Sequence, residues 1–539
     1  MKLNNTYMSQ SNNWNKAGIS LPSFDRNVMV EKTASSPEWI HFGAGNIFRG
    51  FIADLYQTLL TEGKASTGIL AVEAFDGEII EKTYAPFDNL TLLAIMRGDG
   101  SFEKRIVASV AEGIALTKES YQRLQGIFQS PSLQMASFTI TEKGYSIYDI
   151  NGNLPDYIRQ DIDNGPGRAR TAMGVVCGLM YNRYKSGEYP IALVSMDNCS
   201  HNGDKLRESL LTIAGEWEKK GMVDSGFSVY LNNRKKTGFP LSMIDKITPN
   251  PSSVVKEMFI NDGVEDMEII RTANGSCVAP FVNAEKAQYL VIEDWFPNGR
   301  PALEETGVYF TQRETVDRVE KMKVCTCLNP LHTALAIFGC LLGFTSISAE
   351  MQDDDLRTLV NRIGREEGLP VVVDPGIIRP VDFLDVVLDE RFPNPNVPDT
   401  PQRIASDTSQ KVGIRFGETI KAYRDRSDLD PKTLTLIPLV IAAWCRYLLA
   451  SDDEWNPMVC SPDPMLEELS ASLKEITLGK DADIHSALLP ILSNKKLFGV
   501  DLYEVELGEK VESFFKKMIA EKKAVRKVLH NTLKSYVSV

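Results

Sequence analysis

Residues 37–60 read PEWIHFGAGNIFRGFIADLYQTLL, and the fold turns on how this stretch is parsed. Trp39 to Phe42 is a short apolar run that ends at Gly43. From Phe48 onward, Phe51, Ile52, Leu55, Tyr56, Leu59 and Leu60 recur at helical spacing. The stretch therefore predicts strand, glycine turn, helix. Further runs of strand length follow at TGILAVEAF (67–75), RIVASVA (105–111), LQMASFTIT (133–141) and PIALVSM (190–196), with helical stretches between some of them. This alternation predicts an α/β domain of Rossmann type with a largely parallel sheet.

Working outward, the first 35 residues are polar and rich in Asn, read as a loose arm, and lack the apolar core of a signal peptide. Beyond about residue 305 the pattern changes. Amphipathic segments at 312–346, 353–366, 409–424, 433–450, 464–476, 484–493 and 506–537 dominate, so residues 311–539 are expected to form a mainly α-helical domain after an α/β domain over 1–310. Pro and Asn cluster in a loop, RFPNPNVPDTPQ (391–402).

Composition sets bounds on function. The chain has 539 residues, a net charge of −13, 43% hydrophobic and 24% charged residues, which is a folded protein rather than a disordered one. The acidic excess argues against nucleic acid or an anionic membrane as partner, because both need a positive field, but leaves a small anionic substrate open. No run of about 18 apolar residues suggests a membrane span; the best candidate, LIPLVIAAWCRYLL, is interrupted by Arg446. Eight scattered cysteines fit reduced thiols in the cytoplasm, not a disulfide framework. Five histidines make a histidine-rich metal cluster an unattractive reading, and the Lys-rich end KKMIAEKKAVRKVLH reads as a solvated helix face.

The glycine turn is the first candidate site. Gly43 allows the tight turn and Gly45 lets backbone approach a pyrophosphate at the positive end of the helix. Asn46, Phe48 and Arg49 complete the turn and are expected on the cofactor side; position 48 is where a third glycine would stand, and Arg49 either touches a phosphate or covers the surface. The second strand ends VEAFD, so Glu73, or else Asp76, is expected to bind the adenosine ribose, which favours NAD over NADP. A glycine turn without ligand is the alternative.

Three more segments carry polar groups beside apolar runs. FTITEKGY places Thr139, Thr141 and Glu142 at a strand end, where open α/β sheets bind ligands. VSMDNCSHNGDKL places Asn198 for a substrate hydroxyl, with Asp197 and Asn202 shaping the turn. KMKVCTCLNPLHTALAIFG sets Lys323, Asn329 and His332 on an otherwise apolar helix, and Asn329 and His332 share a face. Such burial is costly without partners, so the cluster reads as functional or as a satisfied core. Cys325, Cys327 and His332 lack a second ligand pair for zinc, so no metal is expected.

Together, HFGAGNIFRGF, TITEKGY, SMDNCSHNGD, GFPLSMIDKITP, VIEDWFPNGRPALEETGV, MKVCTCLNPLHTALAIFG and RIASDTSQK resemble the polyol-specific long-chain dehydrogenases, the mannitol dehydrogenase family, from about residue 38 to the C-terminus. The resemblance implies metal-free hydride transfer with NAD. It implies Lys323 as general acid/base, Asn329 and His332 polarising the reacting oxygen, and Glu142 linked to proton exchange with solvent. It also implies Asn198, Arg403 and Lys411 on the substrate, with Asp245 as a further substrate-side residue. Two departures matter. The family spaces lysine and asparagine by five residues, but Lys323 and Asn329 are six apart. One extra residue turns an ideal helix by about 100°, so a π-bulge or kink between them is expected; without it, Lys321 replaces Lys323. Ser406 stands where polyol-oxidising members carry histidine. That departure argues against mannitol as substrate, and the CLNPLHTALA form with the large size is most like the branch that interconverts D-fructuronate and D-mannonate in hexuronate catabolism. Tagaturonate reduction, mannitol oxidation and a non-enzymatic dinucleotide or sugar-acid sensor are the alternatives.

Overall fold

The structure is a computed structural model, which describes residues 1–8, 11–149 and 152–536. The chain divides into two compact units. The first comprises Met1–Arg97 and Ser101–Val316; the second comprises Asp317–Val539 together with Gly98–Gly100. The division thus falls at Val316, a few residues beyond the expected 310.

In the first unit a six-stranded sheet is built from β1 (Trp39–Phe42), β2 (Ile69–Glu73), β3 (Val110–Ala115), β4 (Met135–Phe138), β5 (Ile191–Ser195) and β6 (Thr237–Gly238). Its order is 3-2-1-4-5-6 and every neighbouring pair is parallel. β1, β2, β4 and β5 are buried at every position, the continuous burial expected of a parallel sheet covered on both faces. The chain leaves β1 through the glycine turn, runs through a π turn (Phe48–Ile52), and continues as helix α1 (Ala53–Thr61). The run RIVASVA straddles a break: Phe102–Val107 belongs to a second, four-stranded sheet, whereas β3 begins at Val110.

The first 35 residues are not a loose arm. Ile19–Ser20 pairs in parallel with Phe102–Val107, and Leu3, Trp14 and Ile19 are buried in the core beneath that sheet. The Trp14 indole N–H donates to the Tyr7 carbonyl, 3.0 Å. A few well-placed apolar residues anchor a segment whose composition is polar.

The second unit is helical. Helix α2 (Asn202–Lys219) belongs to the first unit; α3 (Arg313–Lys321), α4 (Asn329–Leu342) and α5 (Leu436–Tyr447) carry the chain into and through the second. The stretch Arg313–Leu342 is apolar enough to span a membrane by composition, yet 78% of its most apolar window is buried within the protein, so that face is spent on core. Helix α5 is held by a buried carboxylate: Glu367 accepts from the N–H groups of Thr435, Leu436 and Ile437 at 2.7–2.8 Å, satisfying donors that a helix start leaves unpaired. Among the described residues of this unit four π turns interrupt the helices, at Met322–Cys327, Ile363–Gly368, Val386–Arg391 and Gly413–Gly417. The 391–402 stretch is less open than its composition suggests, since Phe392, Asn394, Val397 and Asp399 are buried.

Candidate active site

In the first unit β1, β4 and β5 end in register, with Phe42 opposite Phe138 and Phe138 opposite Ser195. Gly43, Thr139 and Met196 therefore follow one another along the carboxyl edge, with Asp197 next after Met196, at the point where strand order reverses. Gly43 has φ 103°, and a Cβ there would lie 2.1 Å from the Thr139 carbonyl oxygen, so no side chain fits. Gly45 differs: nothing lies within 4 Å of where its Cβ would be, leaving space over the turn.

A directed chain of hydrogen bonds fixes this turn. The Trp39 indole N–H donates to Ser137 Oγ, 2.7 Å, and Ser137 Oγ meets His41 Nδ1 at 2.6 Å. His41 Nε2 meets Thr139 Oγ1 at 2.8 Å, and Thr139 donates to the Gly43 carbonyl, 3.0 Å. The order assigns the proton to Nε2 and leaves His41 neutral. Burial agrees, pushing the imidazole down to about 3. Glu73 braces the other side of the turn: it accepts from Ala44 N–H at 3.0 Å, Phe75 N–H at 3.0 Å and Asp76 N–H at 3.2 Å. A carboxylate has about four acceptor positions, so one remains.

Other expectations for the turn are corrected. Arg49 reaches neither a phosphate nor the surface. It is fully buried, donating to the Ala279 carbonyl at 2.8 Å and to Asn46 Oδ1 at 3.0 Å, and so orients Asn46. Phe48 is fully buried and stacks on His41 with ring centroids 4.1 Å apart; it occupies the third-glycine position as core, not as a ligand contact. Asp76 is buried and accepts from the Thr272 hydroxyl at 2.6 Å.

Beyond β4, Thr141 takes φ 64° and its N–H donates to Asp197 Oδ1 at 3.1 Å. Asp197 Oδ2 accepts from Ile140 N–H at 2.8 Å and from the Tyr145 hydroxyl at 2.6 Å, tying the ends of β4 and β5 together. Glu142 is exposed and pairs with Lys205. Asn198 is exposed beyond β5, while Asn202 is fully buried and knots the carbonyls of Ser195, Asp197 and Ser242 at 3.0–3.3 Å. Asp245 is buried at the end of the strand Ser242–Asp245.

In the second unit the extra residue between Lys323 and Asn329 is absorbed by a π turn, Met322–Cys327, with the Leu328 N–H reaching back five residues to the Lys323 carbonyl, 3.1 Å. The chain then restarts as α4 at Asn329, with Pro330 in the first turn, where its missing N–H costs nothing. Lys323 is 3% exposed. Asn329 is half-buried and His332 is 17% exposed.

Cations gather around His332. Its Nε2 lies 3.4 Å from Asp399 Oδ2 without a hydrogen bond, and the ring packs against Phe392 at 5.1 Å. Burial first, then the charges of Arg415, Arg403, Arg391 and Lys411, push the imidazole down to about 3, so it is neutral. Arg403 is paired with Asp399, and the Lys411 ammonium donates to the Ser406 carbonyl at 2.5 Å. Arg415 donates to the Thr333 hydroxyl. Neither Asp399 nor Arg415 stands out in the sequence. Asp399 lay in what read as an open Pro/Asn loop, and the available signal for Arg415 was its spacing of four from Lys411. Cys325 and Cys327 are thiols pushed up to about 12 by burial.

The first-unit turn suits a dinucleotide: the sheet order reverses beside it, Gly45 leaves the approach open, and a helix starts behind it. The second-unit cluster suits a reacting oxygen, with a neutral ring, an amide and a buried ammonium on consecutive turns.

Comparison with known proteins gives the same division. Residues 37–305 match the mannitol dehydrogenase Rossmann domain, and residues 315–519 match the mannitol dehydrogenase C-terminal domain. The chain is 53% identical over 537 residues to the D-mannonate oxidoreductase of Thermotoga maritima, covering 99% of each. Among solved structures it is similar to a substrate-free D-sorbitol dehydrogenase (TM-score 0.81, 25% identity, 98% and 100% of the two chains). It is also similar to the Pseudomonas fluorescens mannitol 2-dehydrogenase in ternary complex with NAD and D-mannitol (TM-score 0.71, 25% identity, 99% and 100%). The protein is an oxidoreductase acting on CH–OH groups and uses a nicotinamide dinucleotide. With both family domains present across most of its length, the chain belongs to the mannitol dehydrogenase family.

Proposed function

We propose that this enzyme interconverts D-fructuronate and D-mannonate with NAD as cofactor, in the cytoplasmic breakdown of hexuronates. The observation that carries this reading is 53% identity over nearly the whole of both chains with a D-mannonate oxidoreductase. The cations around His332 support it, since a carboxylated substrate needs charge-assisted partners.

In the reducing direction, the bound reduced nicotinamide supplies the hydride to the keto carbon. Gly43 and Gly45 hold the turn open to the pyrophosphate, Asn46 is oriented beside it by Arg49, and Glu73 offers its remaining acceptor position to a ribose hydroxyl. Thr139 and Thr141 shape the rim of that turn. Asn329 and the neutral His332 donate hydrogen bonds to the carbonyl oxygen, and Lys323 delivers its proton there as negative charge develops. Asn198 and Asp245 take substrate hydroxyls, Arg403 and Lys411 complete the substrate pocket, and Glu142 returns a proton from solvent. Charge balances: one hydride and one proton convert ketone to secondary alcohol. No resident metal enters this scheme.

The test is NADH oxidation with D-fructuronate, D-tagaturonate and D-fructose supplied separately, repeated with NADPH. Fastest turnover with fructuronate and NADH is expected. Preference for tagaturonate or fructose would replace the substrate, and preference for NADPH would remove the ribose role of Glu73.

A further inference from the structure

Among the described residues, Arg415 in the second unit forms no ion pair. Arg415 sits on the π turn Gly413–Gly417, and its N–H bonds the Lys411 carbonyl one turn back, 3.0 Å. Among the described residues its guanidinium makes a single hydrogen bond, from Nη1 to the neutral hydroxyl of Thr333. A guanidinium carries five N–H donors. Arg183, in the first unit, shows what a structural buried arginine looks like: it donates to the carbonyls of Tyr189, Phe128, Ser130, Leu133 and Pro190. Arg415 has no such set, and burial alone depresses it to about 10, with no carboxylate opposing the shift.

The nearby acids are already engaged. Asp399 is paired with Arg403 and lies 3.4 Å from His332. Asp463 accepts from the Ser409 N–H at 2.7 Å, the Ser409 hydroxyl and the Met465 N–H at 2.9 Å. Asp407 and Asp463 are felt by Lys411, yet neither forms an ion pair with Lys411 or Arg415 among the described residues. A largely desolvated cation without a counter-charge is stabilised when a ligand supplies one. The Nε–Nη2 edge of Arg415 makes no hydrogen bond among the described residues, and such an edge matches the two oxygens of a carboxylate.

We propose that Arg415, assisted by Lys411 one turn before it, receives the carboxylate of the sugar-acid substrate. Arg403, neutralised by Asp399 and 61% exposed, is then a supporting residue and not the carboxylate anchor. This deepens the hexuronate reading and rests on it. Arg415→Gln is expected to lower the ratio of kcat/KM for fructuronate to that for fructose, which lacks the carboxylate, by at least about 30-fold, chiefly through KM. Arg415→Lys recovers part of the ratio, because a point charge attracts the carboxylate without the fork. An equal loss with both substrates in Arg415→Gln, at unchanged melting temperature and NADH affinity, overturns the proposal while leaving fructuronate reduction standing. If the wild type prefers tagaturonate, the choice of hexuronate falls, and the proposal stands if Arg415→Gln loses tagaturonate relative to fructose. If the wild type prefers fructose over both uronates, the carboxylate role falls with the function.

Discussion

The carboxyl edge of the six-stranded sheet and the cluster around His332 handle their buried polar groups in opposite ways. At the sheet edge the side chains serve one another and the backbone. Asn202 is used on both ends of its amide, Asp197 accepts three bonds, Glu73 accepts three, and His41 is locked between two hydroxyls. Around His332 the groups are left short among the described residues: Nε2 of the ring makes no hydrogen bond and Arg415 bonds one hydroxyl; farther along the helix that carries His332, beside Gly339, both oxygens of Glu350 lack a partner. An edge saturated but for one acceptor position of Glu73 presents ligand chiefly with backbone and shape. An unsaturated cluster presents it with side chains, whose desolvation cost is recovered when a ligand completes their bonds.

The largest test of that contrast is Lys323→Ala. A group acting only in the second-unit cluster is expected to cost about 10³-fold in kcat, within the usual range for a general acid/base, with NADH affinity unchanged. Turnover within tenfold of wild type would assign the proton elsewhere. Next is Glu350. Burial, then the neighbouring Asp353, raises its carboxyl from 4.5 to about 9, so the native protein keeps a proton that the unfolded chain releases. Stability from this group is full below about pH 4.5 and is lost as pH rises towards 9. At pH 7 the penalty is about 3 kcal/mol, at 1.36 kcal/mol per unit. Glu350→Gln keeps the shape and removes the ionisation. It is expected to melt higher than wild type at pH 8 and equally at pH 4.5; parallel profiles across that range would show that Glu350 finds a partner.

The fold is most legible in the sequence where pattern and chemistry coincide. Trp39–Phe42 was legible to the residue because an apolar run met a glycine with no ambiguity of period. The π turn at Met322–Cys327 was legible because family spacing supplied a ruler against which one residue was extra. The π turns at 363–368, 386–391 and 413–417 had no such ruler, and so Arg415 went unseen. At Arg49 and Phe48 the sequence misleads for a different reason. A residue's neighbours in sequence do not reveal whether the fold turns it towards a ligand or into core, and here tertiary packing on Ala279 and His41 decided it. Trp14 was lost in the same way, one indole in a polar run.

The smallest effect separates the two glycines of the turn. Gly43→Ala places a methyl against the Thr139 carbonyl in a left-handed backbone, which costs roughly 1–3 kcal/mol from strain alone. The clash also breaks the Thr139 to Gly43 hydrogen bond that ends the chain from Trp39. A lowered melting temperature in the absence of cofactor is therefore expected. Gly45→Ala puts its methyl into open space, so the melting temperature without cofactor should stay within a degree or so, and a stable Gly45→Ala that binds NADH about tenfold more weakly would show that the gap above residue 45 is used by ligand. If both variants lose stability equally, the space over Gly45 is part of the fold. If both keep stability and affinity, the saturated edge is not where the dinucleotide sits, and the contrast between the two regions loses its functional meaning.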